Sequence, residues 1–438
     1  MKKLLLTLVA ASSAIIADAA YDKTEASLDN SAIYPGTTHS YVVAVPADIA
    51  AGDTCALYIG LDGELCNASA HIDSLTRAGV MPPTVCVFLQ PGVVRDADGE
   101  VVRYNRSNEF DAIDGRFASF LETELLPAVR TIVGKRATIT DDPQQRMIMG
   151  LSSSGIAAFV AAWNRPDLFG KVYSGCGTFV PMRGGNELQA LVRKSEPRDI
   201  RLFIQDGYDD CWNPIFGSWY EANAMLGTAL DFAGYDCAFD WGEGVHSVRR
   251  SNEIFPDMMT TLWSRPLAAK PSGNGLLKEI LTDDRVWKTK QSAPVAATDA
   301  VVEAVYPDGS LVAVADAGGN WLNQYIIDRT TGERRYGQRF YYLHSYTPTQ
   351  LTVSGMAFDS KGNLWAVTDA GLQICDQNGR VRAILMLPPE VTALQRAVIA
   401  IGDGIVSITD PATGRRFTRR FNVSAPRAGV RPPSQGAA

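Results

Sequence analysis

One stretch limits what this chain can become: RMIMGLSSSGIAAFVAAW, residues 146–163. An apolar run, Met147 to Met149, meets a Gly-Leu-Ser-Ser-Ser-Gly corner, and small residues with Phe and Trp at helical spacing follow. Strand, sharp turn and helix in that order make a nucleophile elbow. The turn pushes the central side chain above the sheet, and its neighbours must be small. Ser152 occupies the centre and Gly150 stands two positions before it. Ser154 stands two after it, where the G-x-S-x-G pattern has glycine. Taken alone, the stretch also fits a glycine- and serine-rich turn without chemistry.

A serine hydroxyl is a poor nucleophile until a base takes its proton, so an elbow requires a histidine and a carboxylate downstream. In α/β-hydrolases the order along the chain is Ser, acid, His, each on a loop at the carboxyl end of a strand. Of the four histidines, at 39, 71, 246 and 344, only His246 follows the elbow within the α/β part, after the strand CAFDWGEG (237–244). The acid should follow RLFIQ, where QDGYDDCWN offers Asp206, Asp209 and Asp210. Asp206 is too close to the strand and reads as a brace for the turn, whereas Asp209 and Asp210 both fit. The developing oxyanion needs two backbone N–H groups. Ser153 supplies one, and Gly92 or Val93, after the strand TVCVFL, supplies the other. Arg103, Arg106 and Glu109 follow the same loop. They either line the acyl or sugar side of the cleft or form a surface ion-pair cluster.

The surrounding sequence alternates strands and helices. SYVVAV (40–45), CALYIGL (55–61), TVCVFLQPG (84–92), KVYSGCGTF (171–179) and RLFIQDG (201–207) read as strands. Residues 108–133, 216–233 and 251–263 read as helices, and the polar residues 21–38 as an arm. This alternation predicts an α/β fold over 21–265, a mostly parallel sheet with helices on both faces. A Pro/Gly/Ser-rich linker, 266–275, ends it. Over 276–425 short strands and turns take over, with 426–438 as a tail. YPDGSLVAVADAGG (306–319) and FDSKGNLWAVTDAG (358–371) echo each other, with Gly309 and Gly362 53 positions apart. That period predicts a smaller all-β domain, a partial β-propeller of three to four blades.

Lys2 and Lys3, an apolar run from Leu4 to Ile16, and Ala17-Asp18-Ala19 mark residues 1–20 as a signal peptide. The expected location is periplasmic or extracellular. No later segment approaches the ~20 apolar residues of a membrane span. The formal charge is -7 and no Lys/Arg block stands out, so neither nucleic acid nor an anionic membrane is an expected partner. Seven cysteines show no C-x-x-C spacing, so structural zinc is not expected, while export would permit disulfides.

Four stretches together are more specific: FLQPGVVRDADGEVVRYNRSNEFD, GLSSSGIAAFVAAWNRPDLFGKVYSGCGTF, IQDGYDD and FAGYDCAFDWGEGVH. They resemble the enterochelin-esterase-like and esterase D-type branch of the α/β-hydrolases, over about residues 38–265. That branch carries its acid in a Gly-x-x-Asp pattern, which falls on Gly207 to Asp210 and implies Asp210. It also implies Val93 as the second oxyanion donor. Ser154 departs from the branch, which has glycine there. Cys176 and Cys211 replace apolar residues of those relatives and end neighbouring strands, so a disulfide between them is expected.

GQRFYYLH (337–344) and SGMAFDSKGNLWAVTDAGLQICDQNGR (354–380) resemble the last blades of gluconolactonase-like propellers. Those propellers hold a divalent metal on Glu, Asn and Asp. Here Ser354 stands where the Asp is expected, which implies a metal-free remnant used for packing or binding. The leader implies export, and the resemblances imply a serine esterase without cofactor or metal. Ser152 would be nucleophile, His246 base and then acid, and Asp210 the orienting carboxylate. The substrate would be an acylated carbohydrate or a siderophore ester. The competing functions are a non-catalytic binding protein with a degenerate elbow, and a lactonase acting through the C-terminal part.

Overall fold

The computed structural model describes residues 20–29, 31–264, 275–294, 301–317, 319–345 and 351–434. Nearly all of the expected signal peptide and linker, and the last residues of the tail, lie outside the described residues.

The apolar strands assemble into one eleven-stranded sheet. In chain order they are β1 (Tyr21–Asp29), β2 (Thr38–Pro46), β3 (Asp53–Leu61), β4 (Thr84–Leu89), β5 (Val93–Arg95) and β6 (Val101–Tyr104). Then come β7 (Ala137–Ile139), β8 (Arg146–Leu151), β9 (Lys171–Gly175) and β10 (Arg201–Gly207). A small separate hairpin, β11 (Trp212–Asn213) and β12 (Gly217–Ser218), precedes the last sheet strand, β13 (Asp236–Gly242). Across the sheet the order is β13-β10-β9-β8-β3-β4-β2-β5-β6, with β1 on β2 and β7 on β3. The pairs from β4 through β13 are parallel, and those of β2 are antiparallel. All carboxyl ends of the parallel strands therefore lie on one edge, where open α/β sheets bind ligands.

Residues alternate between two cores. Leu57, Ile59, Ile148, Val172 and Leu202 face one, and Tyr58, Met147, Met149, Tyr173 and Phe203 face the other. Helices α1 (Ala68–Arg77), α2 (Arg106–Phe110), α3 (Arg116–Phe120), α4 (Leu126–Val133), α5 (Ser153–Asn164), α6 (Leu188–Lys194), α7 (Trp219–Ala233) and α8 (Arg249–Trp263) surround the sheet. Helices α3 to α7 cover the first core, and α1 and α8 the second.

Two local expectations change. The polar arm contains β1, paired with β2 along nine residues. It is an edge strand with mostly exposed side chains, so only its backbone ladder reveals it. The helix expected over 108–133 is broken at 111–115 and then runs through a π-helical turn, Leu121–Leu125. Pro127 follows that turn, and its missing N–H and bulky ring explain the irregularity.

The C-terminal part is all-β in its sheets. Its strands are β14 (Lys288–Gln291), β15 (Glu303–Val305), β16 (Leu311–Val314), β17 (Trp321–Ile327), β18 (Arg334–Tyr342) and β19 (Val353–Phe358). The remainder are β20 (Leu364–Thr368), β21 (Gly371–Cys375), β22 (Val381–Leu385), β23 (Val398–Gly402), β24 (Ile405–Thr409) and β25 (Arg415–Arg420). They form three four-stranded antiparallel sheets: β15-β16-β17-β18, β19-β20-β21-β22 and β14-β25-β24-β23. The third joins the first strand of this part to its last three. The echoing phrases form the tight turns. Gly309 (φ 75) and Gly362 (φ 77) take left-handed conformations, and Asp308 and Asp359 accept backbone N–H groups of Ser310 and Lys361 (each 2.9 Å).

This part docks beneath the elbow helix. Tyr342 stacks on Trp163, centroids 6.2 Å apart, and the Arg198 guanidinium lies 3.5 Å from the same ring. Lys194 Nζ donates to the carbonyls of Phe340 (2.9 Å) and Asn378 (2.8 Å). Trp163 is fully buried and serves both halves. Trp163→Ala should therefore cost about 3–5 kcal/mol in urea unfolding, as truncating a buried large aromatic does. A loss below about 1 kcal/mol would show that the indole is not a shared support.

Candidate active site

Strand β8 lies between β3 and β9 and delivers Ser152 to the centre of the carboxyl edge. Ser152 has φ 60 and ψ −125, a conformation that costs a non-glycine residue about 1–3 kcal/mol and persists only when overdetermined. Its N–H donates to Gly175 O (2.9 Å), and its carbonyl accepts from Gly155 (2.9 Å) and Thr178 (3.1 Å). A Cβ at Gly150 would collide with the Ser154 backbone, which explains the glycine there. Ser154 is fully buried, and its hydroxyl closes on the turn itself. It donates to Leu151 O (2.7 Å) and accepts from Leu151 N–H (2.8 Å). The extra hydroxymethyl group is thus absorbed without crowding Ser152.

Three residues from separate loops converge. His246 Nε2 lies 2.9 Å from Ser152 Oγ, and Nδ1 lies 2.6 Å from Asp210 Oδ1. The His246 side chain is 26% exposed and that of Asp210 is 0% exposed, so the imidazole faces solvent while the acid is sealed beneath it. Burial alone would raise the Asp210 carboxyl. The hydrogen bonds from His246 and Asp206 outweigh it and hold the group below the usual carboxylate range. The Asp210 and His246 loops touch closely, since a Cβ at Gly207 would strike Gly244 O. Asp209 is exposed, and its backbone N–H donates to Gly244 O (3.0 Å).

Thr178 and Trp219 belong to this constellation although no motif announced them. Thr178 Oγ1 lies 3.4 Å from Ser152 Oγ and accepts from Trp219 Nε1 (3.3 Å). The Trp219 ring meets the His246 ring edge-on, centroids 6.1 Å apart. The only sequence signal for them was their position, after β9 and at the start of α7. Beside them opens a cavity of about 220 Å³ lined by Phe179, Val180, Phe216, Met225 and Leu226, with Glu221 at its wall.

The loop after β4 corrects one expectation. Glu109 does not line the cleft: it is fully buried, and its carboxylate takes Gly92 N–H (3.1 Å), His39 Nε2 (3.0 Å) and Asn105 Nδ2 (2.5 Å). Glu109 therefore fixes the loop from within, and Gly92 is required because a Cβ there would strike Glu109 and His39. Gly92 N–H is engaged by Glu109, and Val93, the first residue of β5, is paired with Thr38 of β2 and Tyr104 of β6, whereas Ser153 stands at the start of α5. Arg106 forms a two-pronged pair with Asp62 (2.8 and 2.6 Å) and reaches Leu151 O (3.5 Å), one residue from the nucleophile position. Arg103 is exposed on β6, opposite Val94 of β5. The three residues do not form one cluster.

The expected Cys176–Cys211 disulfide is absent, and both thiols are free. Cys176 has φ 39 and its N–H is bound to Gln205 O (2.7 Å). Its sulfur is turned toward the site, while Cys211 is exposed at the next turn. Among the described residues, Cys176, Asp210 and His246 bring ligand-type atoms within 4.8 Å of one another. Asp210 and His246 are already bonded to each other, and burial pushes the Cys176 thiol well up and keeps it protonated. That donor set suits proton relay better than a cation. Ser354 is buried in β19, its hydroxyl donating to Val367 O (3.3 Å).

A family model described as "Putative esterase" matches residues 35–304, more than half of the chain. An iron(III) enterobactin esterase of Dickeya dadantii is 32% identical over 110 residues, 25% of this chain and 22% of that protein's length. Among solved structures, a ferulic acid esterase aligns with 18% identity and a TM-score of 0.42, over 56% of this chain and 98% of its own. The enterobactin esterase of Shigella flexneri aligns with 22% identity and a TM-score of 0.42, over 55% of this chain and 59% of its own.

The two readings of Glu109 differ in stability. Glu109→Ala strands His39, Asn105 and Gly92 N–H in a dry interior and should cost about 3–5 kcal/mol in chemical unfolding. A cleft-lining carboxylate would cost less than about 0.5 kcal/mol.

Proposed function

The chain belongs to the esterase family, and from that premise we propose that it hydrolyses carboxylic esters through Ser152, His246 and Asp210. The observation that carries this is the unbroken hydrogen-bonded path from Ser152 Oγ through the imidazole to Asp210. His246 Nε2 takes the Ser152 proton as Oγ attacks the ester carbonyl carbon, and Asp210 steadies the resulting imidazolium through Nδ1–H. The negative oxygen of the tetrahedral intermediate is received by the N–H groups of Ser153 and Val93. Collapse expels the alcohol, which takes its proton from His246 and leaves an acyl-serine. Water, deprotonated by the same imidazole, then releases the acid.

The cavity beside Thr178 is the natural seat of an apolar acyl group. The substrate class is an acylated carbohydrate or a siderophore ester, and the name of the Dickeya relative supports the latter. The protein works after export, with residues 1–20 removed; no helix among the described residues is long and apolar enough to cross a membrane. The unit over 276–425 is a partial propeller that braces α5 and serves packing or binding rather than lactone hydrolysis. Ser354, a hydroxyl in place of a carboxylate, makes a poor ligand for a hard cation.

Hydrolysis of p-nitrophenyl acetate tests the triad. Ser152→Ala should abolish turnover, and Asp210→Asn should lower kcat by about four orders of magnitude through loss of the correct imidazole tautomer. Asp209→Asn should stay within about tenfold of wild type. An inert wild type, or turnover that survives in Ser152→Ala, would overturn the assignment.

The C-terminal unit makes a separate prediction. Ca²⁺ or Zn²⁺ should neither raise its melting temperature nor support lactone hydrolysis. A saturable stabilisation lost in Ser354→Ala would contradict the metal-free role.

A further inference from the structure

A second carboxyl stands four residues before the triad acid. Asp206, near the end of β10, is 1% exposed, and its Oδ1 accepts from Gly207 N–H (2.8 Å). Asp210 and Asn223 stand beside its side chain. Asp206 Oδ2, Asp210 Oδ2 and Asn223 Oδ1 are all buried, and among the described residues none of the three has a donor. Asn223 has none to offer, because its amide nitrogen donates to Gly177 O (2.8 Å) and Trp219 O (3.0 Å). His246 and the Cys211 N–H both address the other oxygen of Asp210. Acceptors facing one another in a dry site are costly, and a proton retained on one carboxyl supplies the missing donor.

Resting on the esterase reading, we infer that Asp206 is a positioning residue that keeps its proton and donates it to Asp210 Oδ2. The triad acid is then held by a hydrogen bond on each oxygen. The surrounding charges agree. Burial first, and then the contact with Asp210, push Asp206 up to about 9. The groups facing it are Asp210 and Cys211 on the turn, Tyr220 and Asn223 of α7, and Cys176 after β9. None is a cation, so ionising Asp206 would set two carboxylates side by side. The two titrate as a pair and hold one proton between them until the pH approaches about 9. Above that, Asp206 loses its proton, Asp210 loses its brace, and the imidazole is less firmly aimed at Ser152.

The test compares wild type, Asp206→Asn and Asp206→Ala in the pH profile of kcat on p-nitrophenyl acetate. In parallel, the aspartate carboxyls are titrated by ¹³C NMR. Wild-type kcat should fall as the pH passes about 9. Asp206→Asn donates through an amide that cannot ionise, so its fall should be absent there. Asp206→Ala should lose about tenfold or more in kcat with KM little changed, and Asn should recover most of that loss. One carboxyl titrating near 9 should be present in wild type and missing from Asp206→Asn. A wild-type Asp206 that titrates in the ordinary carboxylate range, or the same alkaline fall in Asp206→Asn, overturns the inference. An active enzyme with ordinary titration rejects this brace and leaves the esterase reading standing. An inert enzyme that retains the high-titrating carboxyl rejects the esterase reading and keeps the protonated pair.

Discussion

Everything at the carboxyl edge depends on one backbone constraint, the left-handed turn at Ser152. A β-strand and a helix cannot meet at that angle without a residue in an unfavourable region. The cost is met by hydrogen bonds at Ser152 N–H and carbonyl, and by a helix, α5, that is buried along nearly its whole length. Because β8 is central and α5 is enclosed, relaxing the turn would disturb both cores. The strain therefore holds Oγ where the imidazole can reach it. Ser154 adds a further closure by bonding both polar groups of Leu151.

Two buried polar clusters flank that turn. On one side Glu109 gathers His39, Asn105 and the Gly92 N–H, and so sets the path of the loop entering β5. On the other, Asp206, Asp210 and Asn223 lie beneath His246. Such clusters are costly when incomplete and rigid when satisfied, because low local polarity strengthens every hydrogen bond they make. The site is thus supported by groups that never touch the cleft. The aromatic contacts of Trp163 extend the same logic to the far end of α5, where the C-terminal part packs.

The sequence was most informative where local chemistry leaves few choices. A Gly-x-Ser corner between an apolar run and a small-residue helix has few other structural uses, and a single histidine stood in the right order after it. The turns of the C-terminal part were equally legible, because Asp and Gly at fixed offsets serve a tight hairpin. Polar edge strand β1 was hidden, since its pairing is carried by backbone rather than by side-chain pattern. The break before α3 was hidden too, because apolar periodicity ran across it.

By itself, then, the sequence determined the alternation of strands and helices, the Gly-x-Ser corner, and the order along the chain of Ser152, the carboxylates after β10 and His246. These follow from periodicity, turn chemistry and the strand–loop logic of a parallel sheet. The tertiary structure alone decided which carboxyls are buried and what they face. Asp209 and Asp210 are adjacent in sequence, yet one is exposed and the other is sealed against the imidazole. Glu109, which the sequence left open between the cleft and a surface ion-pair cluster, is an interior anchor, and Cys176 turns toward Asp210 and His246 instead of bonding Cys211. The reason is physical: burial, desolvation and hydrogen-bond partners arise from chain segments tens to hundreds of residues apart, and no local pattern encodes which of them meet.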